Sequence, residues 1–142
     1  MDELLDQIVH AAEKAVAMCE ERRRGQLDYS EGSLAVVEEM LVEIGHWFSE
    51  LTPEHVSTLV QEFGCYILEV GRREFSGHYQ WHDGRDQPVL VVGEPEFRVA
   101  IITWDKVRGR LSGDVSENIP FFYTGFAERA RRATAGIDAL YV

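Results

Sequence analysis

At 142 residues, with 45% hydrophobic and 27% charged side chains, the chain has the make-up of one ordinary globular domain rather than of a disordered segment. Its net charge of −11 is unevenly placed, since residues 1–62 carry 14 acidic and 4 basic side chains whereas residues 63–142 carry 11 and 10. An acidic surface repels phosphate backbones and anionic lipid, which argues against nucleic acid and membrane as partners and favours a basic protein partner.

Residues 2–24 read as an amphipathic helix, with Leu4, Leu5, Ile8, Ala12, Ala15, Val16 and Cys19 on one stripe and Asp2, Asp6, Glu13 and Glu20 opposite. Asp2 and Glu3 at its start and Arg22, Arg23 and Arg24 at its finish suit the helix dipole, and Gly25 supplies a left-handed stop. Leu27-Asp28-Tyr29-Ser30 then opens a second helix over 31–51, capped by Asp28 or Ser30. Its residues Leu34, Val37, Leu41, Ile44, Phe48 and Leu51 alternate in spacings of three and four, which predicts a seam packed against the first and third helices. Met40 and Trp47 flank that seam and, where exposed, offer a surface for a homodimer; the chain is expected to be a monomer or a homodimer.

Thr52-Pro53 caps and starts a third helix over 53–75, buried through Val56, Leu59, Val60, Phe63, Ile67 and Val70. Gly64 and Gly71 on the edge of that stripe predict close approach by another element, because glycine is otherwise unfavourable in a helix. Beyond Ser76-Gly77 the period changes to two, predicting strands over 78–82, 89–92 and 97–104 joined by short connections such as Asp83-Gly84-Arg85-Asp86. Asp105 caps a short helix over 106–111, and Ile119-Pro120 opens a last helix running to about Ala133. The apolar tail 137–142 is expected to dock. The predicted fold is a single α+β domain over 1–142: three N-terminal helices, a three-stranded antiparallel meander and two C-terminal helices.

Motifs that would announce catalysis are missing. Glu43-Ile44-Gly45-His46 matches the Glu-x-x-His element of di-iron bundles, but no second copy exists, and a solvated acidic face explains Glu39, Glu43, His46 and Glu50. His78 and His82 project from one face of a strand near Asp83 and Asp86, yet positions four apart on a strand lie roughly 13 Å from one another, too far to share one zinc ion. Ser33 is in no nucleophile elbow, and Gly109, Gly113 and Gly125 form no phosphate loop. No apolar run is long enough for a bilayer span, Met1-Asp2-Glu3 lacks the features of a secretory signal, and Cys19 and Cys65 make no CxxC pair. The expectation is a cytoplasmic protein with reduced thiols, no metal and no cofactor. The arginines at 72–73, 108/110 and 129/131/132 lie at helix ends, where cations complement the dipole.

One stripe has the polar and aromatic character of a binding site: Glu62, Tyr66, Glu69 and Arg73 on the third helix, followed by Trp81 on the first strand. Tyr66, Glu69, Arg73 and Trp81 are the candidate ligand-binding residues; the competing reading is a helix–sheet seam holding a Glu69–Arg73 ion pair. In this region Leu27-Asp28-Tyr29-Ser30, Gly64-Cys65-Tyr66-Ile67-Leu68-Glu69-Val70 and Gly77 followed by Trp81 resemble a group of small bacterial proteins of unknown function. Those proteins share a Leu-Asp-Tyr/Phe-Ser start, a Gly-x-Tyr-x-x-Glu-Val helix and a Gly-x-x-x-Trp strand. The resemblance covers 27–82 and implies a bacterial domain with no assigned activity. The expected function is a non-enzymatic interaction protein, immunity-like or adaptor, whose acidic helical face meets a basic partner. The alternative is a small-molecule binder or enzyme using a groove between the third helix and the sheet.

Overall fold

In the computed structural model, which describes residues 2–21, 23–116 and 118–142, the helices begin where side chains satisfy the free amides of a first turn. Asp2 accepts from the Leu5 amide at 3.1 Å to open α1 (Glu3–Glu20). Ser30 accepts from the Ser33 amide to open a 3-10 turn (Glu31–Ser33) that runs into α2 (Leu34–Gly45). Thr52 accepts from the His55 amide to open α3 (Pro53–Phe75), with Pro53 in its first turn. α1 closes at Glu20, short of the predicted residue 24; beyond it the Cys19 carbonyl still accepts from the Arg23 amide, the Glu20 carboxylate accepts from the Gly25 amide, and Gly25 takes the left-handed conformation with φ 75°. Arg22, expected at the C-terminal end of that helix dipole, lies outside the described residues.

The predicted helix over 31–51 is interrupted. A Cβ on Gly45 would stand 2.8 Å from the Leu111 carbonyl oxygen, so glycine there lets another element press against the last turn of α2. Beyond it the chain leaves helical geometry at Trp47 and re-forms only a 3-10 turn over Phe48–Glu50. α3, by contrast, keeps its predicted bounds and ends at Ser76 in the left-handed region, with φ 58°. From Glu62 to Gly71 every residue of α3 is buried. A helix buried all round has neighbours on every side: α1 lies along one, the sheet on another, and α4 (Trp104–Leu111) and α5 (Ile119–Arg132) close the rest. Gly64 and Gly71 permit this, since a Cβ at the first would meet the Trp104 ring at 2.4 Å and at the second the Leu90 side chain at 2.8 Å.

Among the described residues the sheet has four strands, not three. β1 (His78–His82), β2 (Gln87–Val92) and β3 (Arg98–Ile101) form the predicted antiparallel meander, and β4 (Asp138–Tyr141) adds to β3 in parallel, from Arg98 opposite Asp138 to Ile101 opposite Tyr141. The tail therefore docks as a strand. It completes the hydrogen bonding of the β3 edge, with Arg98 and Ile102 amides donating to the Ile137 and Tyr141 carbonyls at 2.7 and 2.8 Å. β3 itself is shorter than the predicted 97–104, because Trp104 already belongs to α4. The first turn of α4 is satisfied by the Gln87 carboxamide, which accepts from the Trp104 amide at 2.9 Å, while Asp105, the expected cap, pairs with Arg85. Leu90, Val92, Val99 and Ile101 face the main core, and by strand alternation Val89, Val91, Ala100 and Ile102 form a smaller cluster on the other face.

The apolar seam of α2 packs principally on α4 and α5, not on the first and third helices as its spacing led one to expect. Glu38 holds it there: its carboxylate accepts from the Arg110 guanidinium on α4 and from the Ile119 amide at the start of α5, where a negative charge also complements the helix dipole. Cys19 and Cys65 are unpaired and buried, and burial pushes the Cys65 thiol up to about 12. No helix among the described residues is long and apolar enough to cross a membrane.

Two outcomes follow from this packing. Gly64→Ala would ordinarily strengthen a helix by about 1 kcal/mol; here, with the Trp104 ring in the way, it is expected to destabilise by about 1–3 kcal/mol, as overpacking does, measured by urea unfolding. Cys65 should resist a thiol alkylating agent at pH 8 until the chain is unfolded, and rapid labelling of the native protein would contradict its burial.

Candidate functional site

Glu69 is the focus of the stripe singled out in the sequence, and it is sealed from solvent. Its carboxylate accepts from the Tyr79 hydroxyl at 2.7 Å and from two nitrogens of Arg72, Nε at 2.5 Å and Nη2 at 2.8 Å. Arg73, the partner expected from i,i+4 spacing, stands farther off at 3.6 Å. Arg72 makes the hydrogen-bonded, bidentate i,i+3 contact, and the expected Glu69–Arg73 pair is present beside it as a longer i,i+4 ion pair, while the Arg73 guanidinium carbon also sits 3.5 Å from the centre of the Tyr29 ring. Burial alone would raise the Glu69 pKa; the bonds from Arg72 and Tyr79 and the charges of both arginines outweigh it and carry it below the ordinary glutamate value. Tyr79 was not among the residues singled out in the sequence. The signal that could have found it is strand alternation, which puts Tyr79 and Trp81 on the same face of β1.

Tyr66 is fully buried and joins α3 to the loop before α2. Its hydroxyl accepts from the Tyr29 amide at 2.8 Å and lies 2.7 Å from Ser33 Oγ. Ser33 Oγ donates to the Ser30 carbonyl, so the proton between the two hydroxyls belongs to Tyr66. This arrangement holds Tyr29 at φ 65°, a left-handed conformation uncommon for a bulky residue. Tyr66, Glu69 and Arg73 thus converge around Tyr29, whereas Trp81 packs edge-on against Trp104 and is 45% exposed. Glu62 is nearly buried, and burial raises its pKa against the opposing charge of Lys14. The seam between α3 and the sheet is filled where Glu69 meets Tyr79. A shallow cleft of about 310 Å³ is lined by Tyr29, Ser30, Val70 and Arg73 together with the carboxylates of Glu31 and Glu74. Both of those carboxylates are bonded to Arg131.

A second opening, of about 350 Å³, lies in the acidic half. It exists because α2 leans on α4 and α5, leaving a gap between its C-terminal end and that of α1. Met18, Met40, Ile44 and Leu51 make an apolar lining, and Trp47, 63% exposed, stands at the break after α2. Glu21, Arg23 and Glu43 complete the wall. Arg23 is held by two carboxylates at once, Glu39 and Glu43, one turn apart on α2. Glu43 is thus an ion-pair member on the rim, and His46 follows α2 as its C-cap. Among the described residues no group of three or more histidine, cysteine, aspartate or glutamate side chains is placed to hold a metal ion; His78 pairs with Glu94 and His82 accepts from the Arg85 amide.

Removing Arg72 should strand a buried carboxylate. Since Tyr79 remains and Arg73 can approach, Arg72→Ala is expected to cost about 2–3 kcal/mol, below the roughly 3–5 of a fully buried pair, whereas Arg73→Ala, half-exposed, should cost about 1 kcal/mol or less. Urea melts of the two variants rank them, and equal losses would contradict the assignment. Because the folded Glu69 pKa is lowered, its contribution is present above the ordinary glutamate pKa and is lost as pH falls through the lower folded value. Stability should therefore fall more steeply on acidification below about pH 4.5 in the wild type than in Glu69→Gln.

Compared with known proteins, the chain matches no family model, no curated protein and no solved structure.

Proposed function

We propose that this chain is a non-enzymatic protein-interaction domain, immunity-like or adaptor in kind, acting in the cytoplasm, whose acidic helical half receives a basic partner protein. The observation that carries this reading is the apolar groove between the ends of α1 and α2, with the exposed indole of Trp47 beside it. An exposed tryptophan next to methionine-lined apolar surface has the composition of an interface centre, where aromatic and methionine side chains are enriched. The surrounding half of the chain carries 14 acidic against 4 basic side chains, which steers a basic protein toward it and an acidic one away. The alternative, a small-molecule site between α3 and the sheet, has less support, because Glu69 and Tyr79 close that seam against each other.

The test is affinity capture from the native cell with three baits: the wild type, Trp47→Ser and Trp81→Ser. Trp47 is exposed enough that its replacement should change stability by no more than about 0.5 kcal/mol. A basic protein retained by the wild type and by Trp81→Ser, but lost from Trp47→Ser and released by salt, is the expected result. Identical proteins on all three baits would sink the reading.

A further inference from the structure

Resting on the interaction reading above, we infer that the occupant of the groove is an amphipathic helical segment of a partner, which inserts one large apolar side chain and presents a cationic one to Glu43, and that Arg23 holds that carboxylate until the partner arrives. A cavity of about 350 Å³ takes a side chain of leucine or phenylalanine size together with part of its neighbour, and its apolar side chains, Met18, Met40, Ile44 and Leu51, stand beside the charged Glu21, Arg23 and Glu43, which suits an occupant with one apolar and one cationic group. An opening bounded by two helix ends accepts a helix presenting anchors at i, i+3 or i+4 more readily than an extended strand, which needs a free sheet edge.

Charge selects among occupants. Glu39 and Glu43 project from α2 one turn apart, each about half-exposed, and the cation facing them comes from this chain's own Arg23, whose side chain is the more buried partner. Arg24 is directed elsewhere, toward Glu20 at 4.0 Å. Arg23 thus stands where a partner's arginine or lysine would bind, in a contact between exposed groups that salt weakens and a competing cation can replace. A second copy of this chain is disfavoured at the same place, since a two-fold interface would set one acidic rim against another in a protein of net charge −11.

The experiment uses the full chain and three labelled synthetic helices of equal length. One places leucine at i, i+3, i+4 and i+7 among lysines, another replaces its leucines by alanine, and a third replaces its lysines by glutamate. Fluorescence anisotropy should show the Leu/Lys helix binding at least about tenfold more tightly than either control, with Trp47→Ser weakening it about tenfold or more, as loss of an interface anchor does. Glu43→Gln should weaken it about two- to fivefold, the size of a rim ion pair. Arg23→Gln should strengthen it by a similar factor, because the carboxylates are released; a merely structural Arg23 would leave affinity unchanged or lower it. Equal binding of the Ala/Lys helix would mean charge alone, and equal binding of the Leu/Glu helix would mean apolar contact without charge selection; either overturns the proposal. So does light scattering that shows a dimer abolished by Trp47→Ser, which would assign the groove to a second copy. If cellular capture depends on Trp47 while the Leu/Lys helix fails to bind, the interaction reading stands and the helical occupant falls.

Discussion

The Glu69 carboxylate is the polar constraint around which the rest of the molecule is arranged. α3 is buried on all sides over its central turns, and a helix in that position ordinarily carries only apolar side chains. A charge there is tolerated because every oxygen is occupied: Arg72 supplies two donors from the same helix, and Tyr79 supplies one from the first strand. The Tyr79 bond is directional and short, and it ties β1 to α3. It thus adds a directional contact to the apolar packing of the sheet on α3, where Leu90 of β2 meets Gly71.

A smaller hydroxyl network lies one turn away on the same side of α3. The Tyr29 amide donates to the Tyr66 hydroxyl, Tyr66 to Ser33 Oγ and Ser33 to the Ser30 carbonyl, which ties the helix to the loop before α2. The loop is thereby held with Tyr29 in the left-handed region and its ring against both Tyr66 and Arg73. The two arginines differ in what else they touch: Arg73 stacks on the Tyr29 ring and makes the longer ion pair with Glu69, whereas Arg72 makes the hydrogen-bonded one.

With the loop held by α3, α2 is directed toward α4 and α5, and Glu38 anchors it there by accepting from both elements. The consequence is at the other end of α2. Its last turn, at Gly45, touches the end of α4, and beyond it the chain unwinds through Trp47, so the ends of α1 and α2 stand apart with apolar side chains between them. The groove is a product of helix orientation in the acidic half of the chain, while the well-paired polar residues near the sheet serve to hold that orientation. The groove and the stabilising network are therefore different parts of the molecule.

The sequence by itself determined what depends on neighbours within a turn or two. Caps at Asp2, Ser30 and Thr52, the bounds of α3, the first strand and the close approach at Gly64 and Gly71 all follow from side-chain chemistry and periodicity that are local along the chain. The α+β class and the antiparallel meander follow from the change of period after Gly77. Four things were decided only by tertiary structure. Arg72 and Arg73 both pair with Glu69, but that Arg72 makes the hydrogen-bonded contact while Arg73 also stacks on the ring of Tyr29, distant in sequence, is visible only in the folded chain. The tail 137–142 is too short to declare itself a strand, and it becomes one because α4 and α5 return it beside the unpaired edge of β3. The seam of α2 specifies that it packs but not on what, and Glu38 selects α4 and α5 through partners far away in the chain. The groove is legible in no single segment, since Met18 and Met40 lie on different helices and face one cavity only because of where those helices end. Local order is written in spacing and capping; which surfaces meet, and which remain open, depends on contacts whose sequence separation carries no periodic signal.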